Sequence, residues 1–129
     1  DAVVDWSATA ISGIATSHAD PANPLRADGR LGAAAGIEYA AQAMAVHGAL
    51  LAGEDGAPRQ GYLASVRSVT LHVARLDDLP GQLEVRAERL SGDTSNVLYQ
   101  FSVSHAGRCL LAGRAAVVLD ATSLKEPTP

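Results

Sequence analysis

The stretch "GIEYAAQAMAVHGAL", residues 36 to 50, constrains this chain more than any other. Its Ala, Met, Leu, Gln and Glu residues are strong helix formers, and neither a Pro nor a β-branched run interrupts them. A helix is expected from about Ala34 to about Ala52, with Gly53 as its stop signal. On a wheel of about 100° per residue, Glu38 heads a narrow stripe of small residues, Ala34, Ala41, Ala45 and Ala49, with Gln42 one turn further on. Ile37, Met44 and Leu51 lie to one side of it, and Tyr39, Val46 and Leu50 to the other. A helix apolar nearly all round is expected to be enclosed by other structure. A carboxylate on such a helix needs a reason. The structural one is a hydrogen bond from Glu38 into the loop above it; the chemical one requires a pocket.

The flanking segments say what could enclose the helix. Residues 2 to 17, "AVVDWSATAISGIATS", alternate loosely and read as one strand, bulged at Gly13. "HADPANPLRADGRLG" is dense in turn formers and reads as a loop. Beyond the helix, a polar turn holding Pro58 leads into the extended segment "RQGYLASVRSVTLHVARL". Leu83, Val85 and Ala87 then alternate with Glu84, Arg86 and Glu88, and Val97, Tyr99, Phe101 and Val103 alternate in the same way. A turn at Ala106-Gly107 returns the chain into a last strand, and the polar tail from 121 to 129 is expected to fray. One helix among strands joined by short turns implies an α+β fold, an antiparallel sheet wrapped around the helix in a single domain spanning 1–120.

Composition narrows the classes of function. A chain of 129 residues supports one compact core. Its most apolar window, 31 to 52, carries Glu38, so no membrane span is expected. The net charge of −4 and the scattered arginines form no basic stripe, which argues against a nucleic-acid partner. The single Cys109 excludes an internal disulfide and fits a reducing cytoplasm; it is expected to fill core space on a strand. No phosphate-binding glycine loop, paired metal ligands or nucleophile elbow occurs, so neither cofactor nor metal is expected.

The order strand, loop, central helix, antiparallel sheet is that of the hotdog fold, and "GIEYAAQAMAVHG" resembles the central-helix motif of hydroxyacyl-thioester dehydratases. In those proteins an acidic residue is followed by "xxAQ", matched here by Glu38, Ala41 and Gln42. The likeness is to the dehydratase-like hotdog proteins of aryl-polyene and related pigment clusters. Their "G-I-E-x-x-A-Q" pattern, "GYL" and "V-R" strand recur at Gly36 to Gln42, Gly61 to Leu63 and Val66-Arg67.

The resemblance implies a 3-hydroxyacyl-thioester dehydratase of fatty-acid or polyene biosynthesis, acting on a chain carried by acyl carrier protein or coenzyme A. That reaction removes a weakly acidic α-proton and expels hydroxide, so it needs a base, an acid and donors for the thioester oxygen. By the resemblance Glu38 is the acid. Backbone N–H groups around Ala35, Gly36 and Ile37 would serve the oxygen, with Gly36 allowing close approach and Gln42 lining the site. Dehydratases of this fold carry "HFPGxPVxPG" about fourteen residues before the acid, where this chain has Pro24 and no histidine. His47 is excluded because nine residues of helix place it about 180° from Glu38, and it is read as a flank or interface residue. His72 and His105 fall in expected strands and are read as structural. The base is therefore His18, a histidine upstream of Asp1 in a "PHxxPM"-like segment, or absent.

Two further functions stay open. A hotdog acyl thioesterase needs only a helix carboxylate and a water. A catalytically weakened acyl-binding subunit would complete an active partner. In every case an unpaired sheet edge favours pairing, and a homodimer with the sheets joined edge to edge is expected.

Overall fold

The computed structural model describes residues 2–55, 60–92 and 96–120, with the backbone alone for 52–55, 60–64, 119 and 120. The expected turn at Pro58 and the tail from 121 lie outside the described residues.

Six antiparallel strands form one sheet in the order β1-β2-β4-β5-β6-β3. In chain order they are β1 (Ala2–Trp6), β2 (Ala10–Ala15), then helix α1 (Gly36–Asp55), β3 (Gln60–Leu71), β4 (Leu83–Gly92), β5 (Asn96–His105) and β6 (Arg108–Asp120). The sheet carries α1 on one face, which is the arrangement the resemblance implies.

Strand alternation decides which face the sheet buries. Leu83, Val85 and Ala87 of β4 are buried while Glu84, Arg86 and Glu88 are exposed. Val97, Tyr99, Phe101 and Val103 of β5 are all buried, as expected. Burying a side chain such as Leu83 or Phe101 contributes about 1.5–3 kcal/mol. Ala106 (φ 50°) and Gly107 (φ 82°) give the expected tight turn between β5 and β6, where two left-handed residues match the strand twist.

Three expectations change. The segment 2–17 is a hairpin rather than one strand, and the expected irregularity lies in β1 between Val3 and Asp5, opposite Gly13 and Ser12. Ser7 Oγ accepts the N–H groups of Thr9 (3.3 Å) and Ala10 (3.2 Å), and Ser7 N–H reaches Ala10 O (2.8 Å), which closes a turn that alternation alone hides. Gly13 then has a packing role, since a Cβ there would stand 2.8 Å from the Ala2 carbonyl oxygen. Cys109 is exposed rather than in the core. The helix begins at Gly36, behind a short 3-10 turn at Ala33–Ala35.

The helix buries one side only. Tyr39, Ala40, Met44 and His47 face the sheet, whereas Glu38, Gln42, Ala45, Val46 and Ala49 are exposed. His47 is not a flank residue: it is fully buried, with Nδ1 2.7 Å from Tyr99 OH and Nε2 2.8 Å from Ser7 O. Because a carbonyl can only accept, Nε2 carries the proton, and Nδ1 accepts from the Tyr99 hydroxyl. Burial pushes the Tyr99 phenol up. The ring thus pins α1 to β5 and to the β1–β2 turn.

Candidate active site

Two loops meet at the entrance of α1. Gly32 bridges to Arg75, Ala33 N–H donates to Ala74 O (3.0 Å) and Leu76 N–H to Leu31 O (2.7 Å). Leu31 and Leu76 are fully buried beneath these bonds. Above them Asp77 accepts from Leu31 N–H (2.8 Å), from Arg75 Nε (3.0 Å) and from Arg75 Nη2, with Arg26 Nη1 at 3.9 Å. The Arg75 guanidinium, and after it the Leu31 N–H, hold the Asp77 carboxyl well below the usual carboxylate range. Sequence reading did not single out this cluster, because its partners lie 46 residues apart in the chain.

His18 sits in a 3-10 turn at Ser17–Ala19 and is fully buried. Its Nε2 donates to Leu79 O (3.0 Å), so Nδ1 holds the lone pair, and no described group reaches that atom. Its neighbour Ser17 bonds Tyr39 OH through Oγ (2.8 Å), and Asn23 Nδ2 donates to Ser17 O (2.9 Å) and to Tyr39 OH (3.3 Å). The loop bearing His18 is therefore fastened to the first turn of the helix bearing Glu38.

Glu38 itself is exposed on this single chain and makes no hydrogen bond or ion pair with any described residue. The bond into the loop that a structural carboxylate would make is not there. His18 and Glu38 are not hydrogen-bonded. His105 is engaged, with Nε2 2.6 Å from Pro80 O, and His72 is exposed just beyond the end of β3.

The helix entrance serves packing more than was expected. Ala35 N–H donates to Gly32 O (3.0 Å), and Gly36 N–H turns back to the carbonyls of Ala33 and Ala34. A Cβ on Gly36 would meet Leu111 Cδ2 at 2.5 Å, so glycine here admits a leucine of β6 rather than a substrate. Ile37 packs against the core, and Gln42 lines a described cavity. That cavity is a groove of about 160 Å³ between α1 and the β1–β2 hairpin, lined by Ile11, Ile14, Ala43, Val46 and Val85 among others.

A family model described as ApeP-like, ApeP dehydratase, matches residues 1–126. The chain belongs to the ApeP-like dehydratase family. No curated protein matches this ApeP-like chain. Among solved structures it is similar to the ApeI:P dehydratase heterocomplex from Xenorhabdus doucetiae, at 24% identity and TM-score 0.84, over 98% of this chain and 86% of that one. It is also similar to a thioesterase from Haemophilus influenzae (12% identity, TM-score 0.67, 92% of this chain and 76% of that one). A hypothetical thioesterase with coenzyme A from Streptococcus pneumoniae matches at 12% identity and TM-score 0.67, over 92% and 84%. These likenesses establish the hotdog fold; the dehydratase class comes from the family. Among the described residues, no helix is long and apolar enough to cross a membrane.

Proposed function

We propose that this ApeP-like chain takes part in the dehydration of a 3-hydroxyacyl thioester carried by acyl carrier protein or coenzyme A, with Glu38 as the acid. What supports this is the family match over residues 1–126 together with the Glu38, Ala41 and Gln42 motif on α1; Glu38 is exposed on the single chain and does not line the described groove, so its role depends on a covering partner. Within the chain the favourable interaction of Glu38 is with the positive end of the α1 dipole, since it stands in the first helical turn. Enclosed by a partner, it would lose water, hold its proton more tightly and be able to pass it to a leaving hydroxide. The bond breaking is that between carbon 3 and its oxygen. The α-proton goes to the base, the electron pair forms the double bond, and the hydroxide leaves as water with the proton of Glu38. Helix N–H groups at Ile37, at the positive end of the α1 dipole, would face the charge building on the thioester oxygen.

The base is placed on a second hotdog chain. His18 has the free lone pair a base needs, but the ring is sealed on this chain, and its work is to hold the 17–31 loop against Leu79. A pairing with a related subunit that has its own available histidine would bring that histidine to Glu38. The heterocomplex formed by the similar Xenorhabdus doucetiae proteins supports this arrangement. The His18→Asn variant is expected to melt earlier while its folded fraction keeps kcat/KM within about threefold; a folded variant slowed by about 10²-fold or more would return the base to His18.

The test is product chemistry. A 3-hydroxyacyl thioester given to the chain, alone and with the product of a neighbouring hotdog gene, is expected to yield the conjugated enoyl thioester. Release of free thiol without enoyl product would overturn this reading in favour of the thioesterase.

A further inference from the structure

The sheet face turned away from α1 has its charges sorted. Strand register places Glu88 of β4 beside Gln100 of β5, Gln100 beside Arg114 of β6, and Arg114 beside Arg67 of β3, in one row across four strands. All four residues are exposed, and neither Glu88 nor either arginine makes an ion pair or hydrogen bond with a described residue. Two arginines therefore stand directly opposite each other, with Cβ atoms about 4.5–5.5 Å apart, a destabilising arrangement within one chain. A bulge produces it. Ser68 takes a left-handed conformation (φ 54°), and the β3–β6 register shifts between Arg67 and Thr70. The inserted residue turns both Val66 and Val69 to the core, where a Cβ on Gly113 would stand 3.0 Å from Val69 Cγ2, and leaves Arg67 outward beside Arg114.

We propose that this face seats a second copy of the chain, back to back, about a two-fold axis running along the strands between β5 and β6. Facing sheets pack about 10 Å apart with their strands nearly aligned. This axis lays β4 on β3 of the second copy and β5 on its β6. Glu88 then faces Arg67 of the second copy, Gln100 faces its Arg114, and the two-fold repeats each contact. In the neighbouring rows Arg86 meets Thr70, Ser102 meets Ala112 and Leu98 meets Ala116, so no like charges oppose each other. Ser102, Ala112 and Ala116 are short and half-buried, which lets the two sheets approach at the centre while the long charged side chains pair at the flanks. The charge pattern selects the axis. An axis across the strands sets each guanidinium against another guanidinium, or against Thr70 or Ala112, and leaves it unpaired. Both helices end on the outside of the pair, and each Glu38 stays open to the subunit that covers it. The contact is therefore independent of the dehydratase reading.

Sedimentation equilibrium of the whole chain tests this. Wild type is expected to associate with a dissociation constant of about 1–100 μM, rising by about 10-fold between about 0.05 and about 0.5 M salt as the flanking pairs are screened. Arg67→Glu and Glu88→Arg each set like charges across the contact, and each is expected to weaken association by about 10-fold or more. Mixed in equal amounts, the two variants are expected to pair as tightly as wild type, because the carboxylates of one then face the guanidiniums of the other at every flank. Association through the α1 side is the same in all these samples, so the comparison reads the outer face alone. Gln100→Arg, which sets a second cation against Arg114, is expected to weaken association likewise and serves if a charge-reversed variant does not fold. Single variants that associate as wild type does, a mixture that fails to recover, or a wild type that stays single at about 100 μM would overturn the proposal.

Discussion

Asp77 and Glu38 are both carboxylates close to the start of α1, and their surroundings are opposites. Asp77 is almost covered, with side-chain exposure of 5%, and takes bonds from Arg75 and Leu31 with Arg26 nearby. Glu38 is exposed and takes none from any described residue. The first closes two loops over Leu31 and Leu76, and the second closes nothing. The same division separates His47, with both ring nitrogens bonded in the core, from the Glu38–Gln42 stripe about 180° away on the helix. At Asp77 and His47 the polar group is satisfied internally, whereas Glu38 is left to a substrate or a second chain; His18 Nδ1 and Arg26 Nε are buried without a described partner and follow neither pattern.

The comparison breaks first at His47. His47→Leu removes the ring that Tyr99 and Ser7 both use, and orphans the buried Tyr99 hydroxyl. A loss of about 2–3 kcal/mol in chemical denaturation is expected. A loss below about 0.5 kcal/mol would mean that the buried polar side of α1 is no more structural than the exposed one.

Asp77 offers the next test. Its folded pKa lies below the unfolded value, so its contribution is complete above about pH 5 and fades as pH falls toward the folded value. Asp77→Asn is expected to lower the melting temperature at pH 7 by about 4–8 °C and to flatten the acid limb of the melting-temperature curve. An acid limb parallel to that of the wild type would remove Asp77 as its source.

The smallest effect is expected at Gln42. Gln42→Ala lies on the exposed stripe and is expected to change stability by less than about 0.5 kcal/mol in the same denaturation experiment. A larger loss would show that the stripe is already holding the single chain together.

Much of this was legible in the sequence, and the limits have physical causes. Strands β4 and β5 could be read residue by residue, because one buried face imposes strict alternation on Leu83, Val85, Phe101 and Val103. The helix and the angular separation of His47 from Glu38 followed from helical spacing alone. The β1–β2 hairpin was missed because its turn is closed by a serine hydroxyl, without glycine or proline to mark it. The Asp77 cluster was invisible because it joins loops distant in sequence, and nothing local in "RLDD" distinguishes the carboxylate that is tied from its neighbour. Gly36 was assigned to substrate approach when its space belongs to Leu111, a contact made only once β6 lies against the helix. Enclosure of α1 was read as complete; on the single chain it is half complete, and the exposed half carries the acid motif.

The most direct test of the central claim compares wild type with Glu38→Gln in two readouts on the same preparation. Thermal melts are expected to coincide within about 2 °C, since no described group bonds the carboxylate. Enoyl-thioester formation, assayed with whichever partner chain activity requires, is expected to fall by about 10²-fold or more. A variant that melts markedly earlier, or that keeps full activity, would contradict the assignment of Glu38 as a chemical rather than a structural carboxylate.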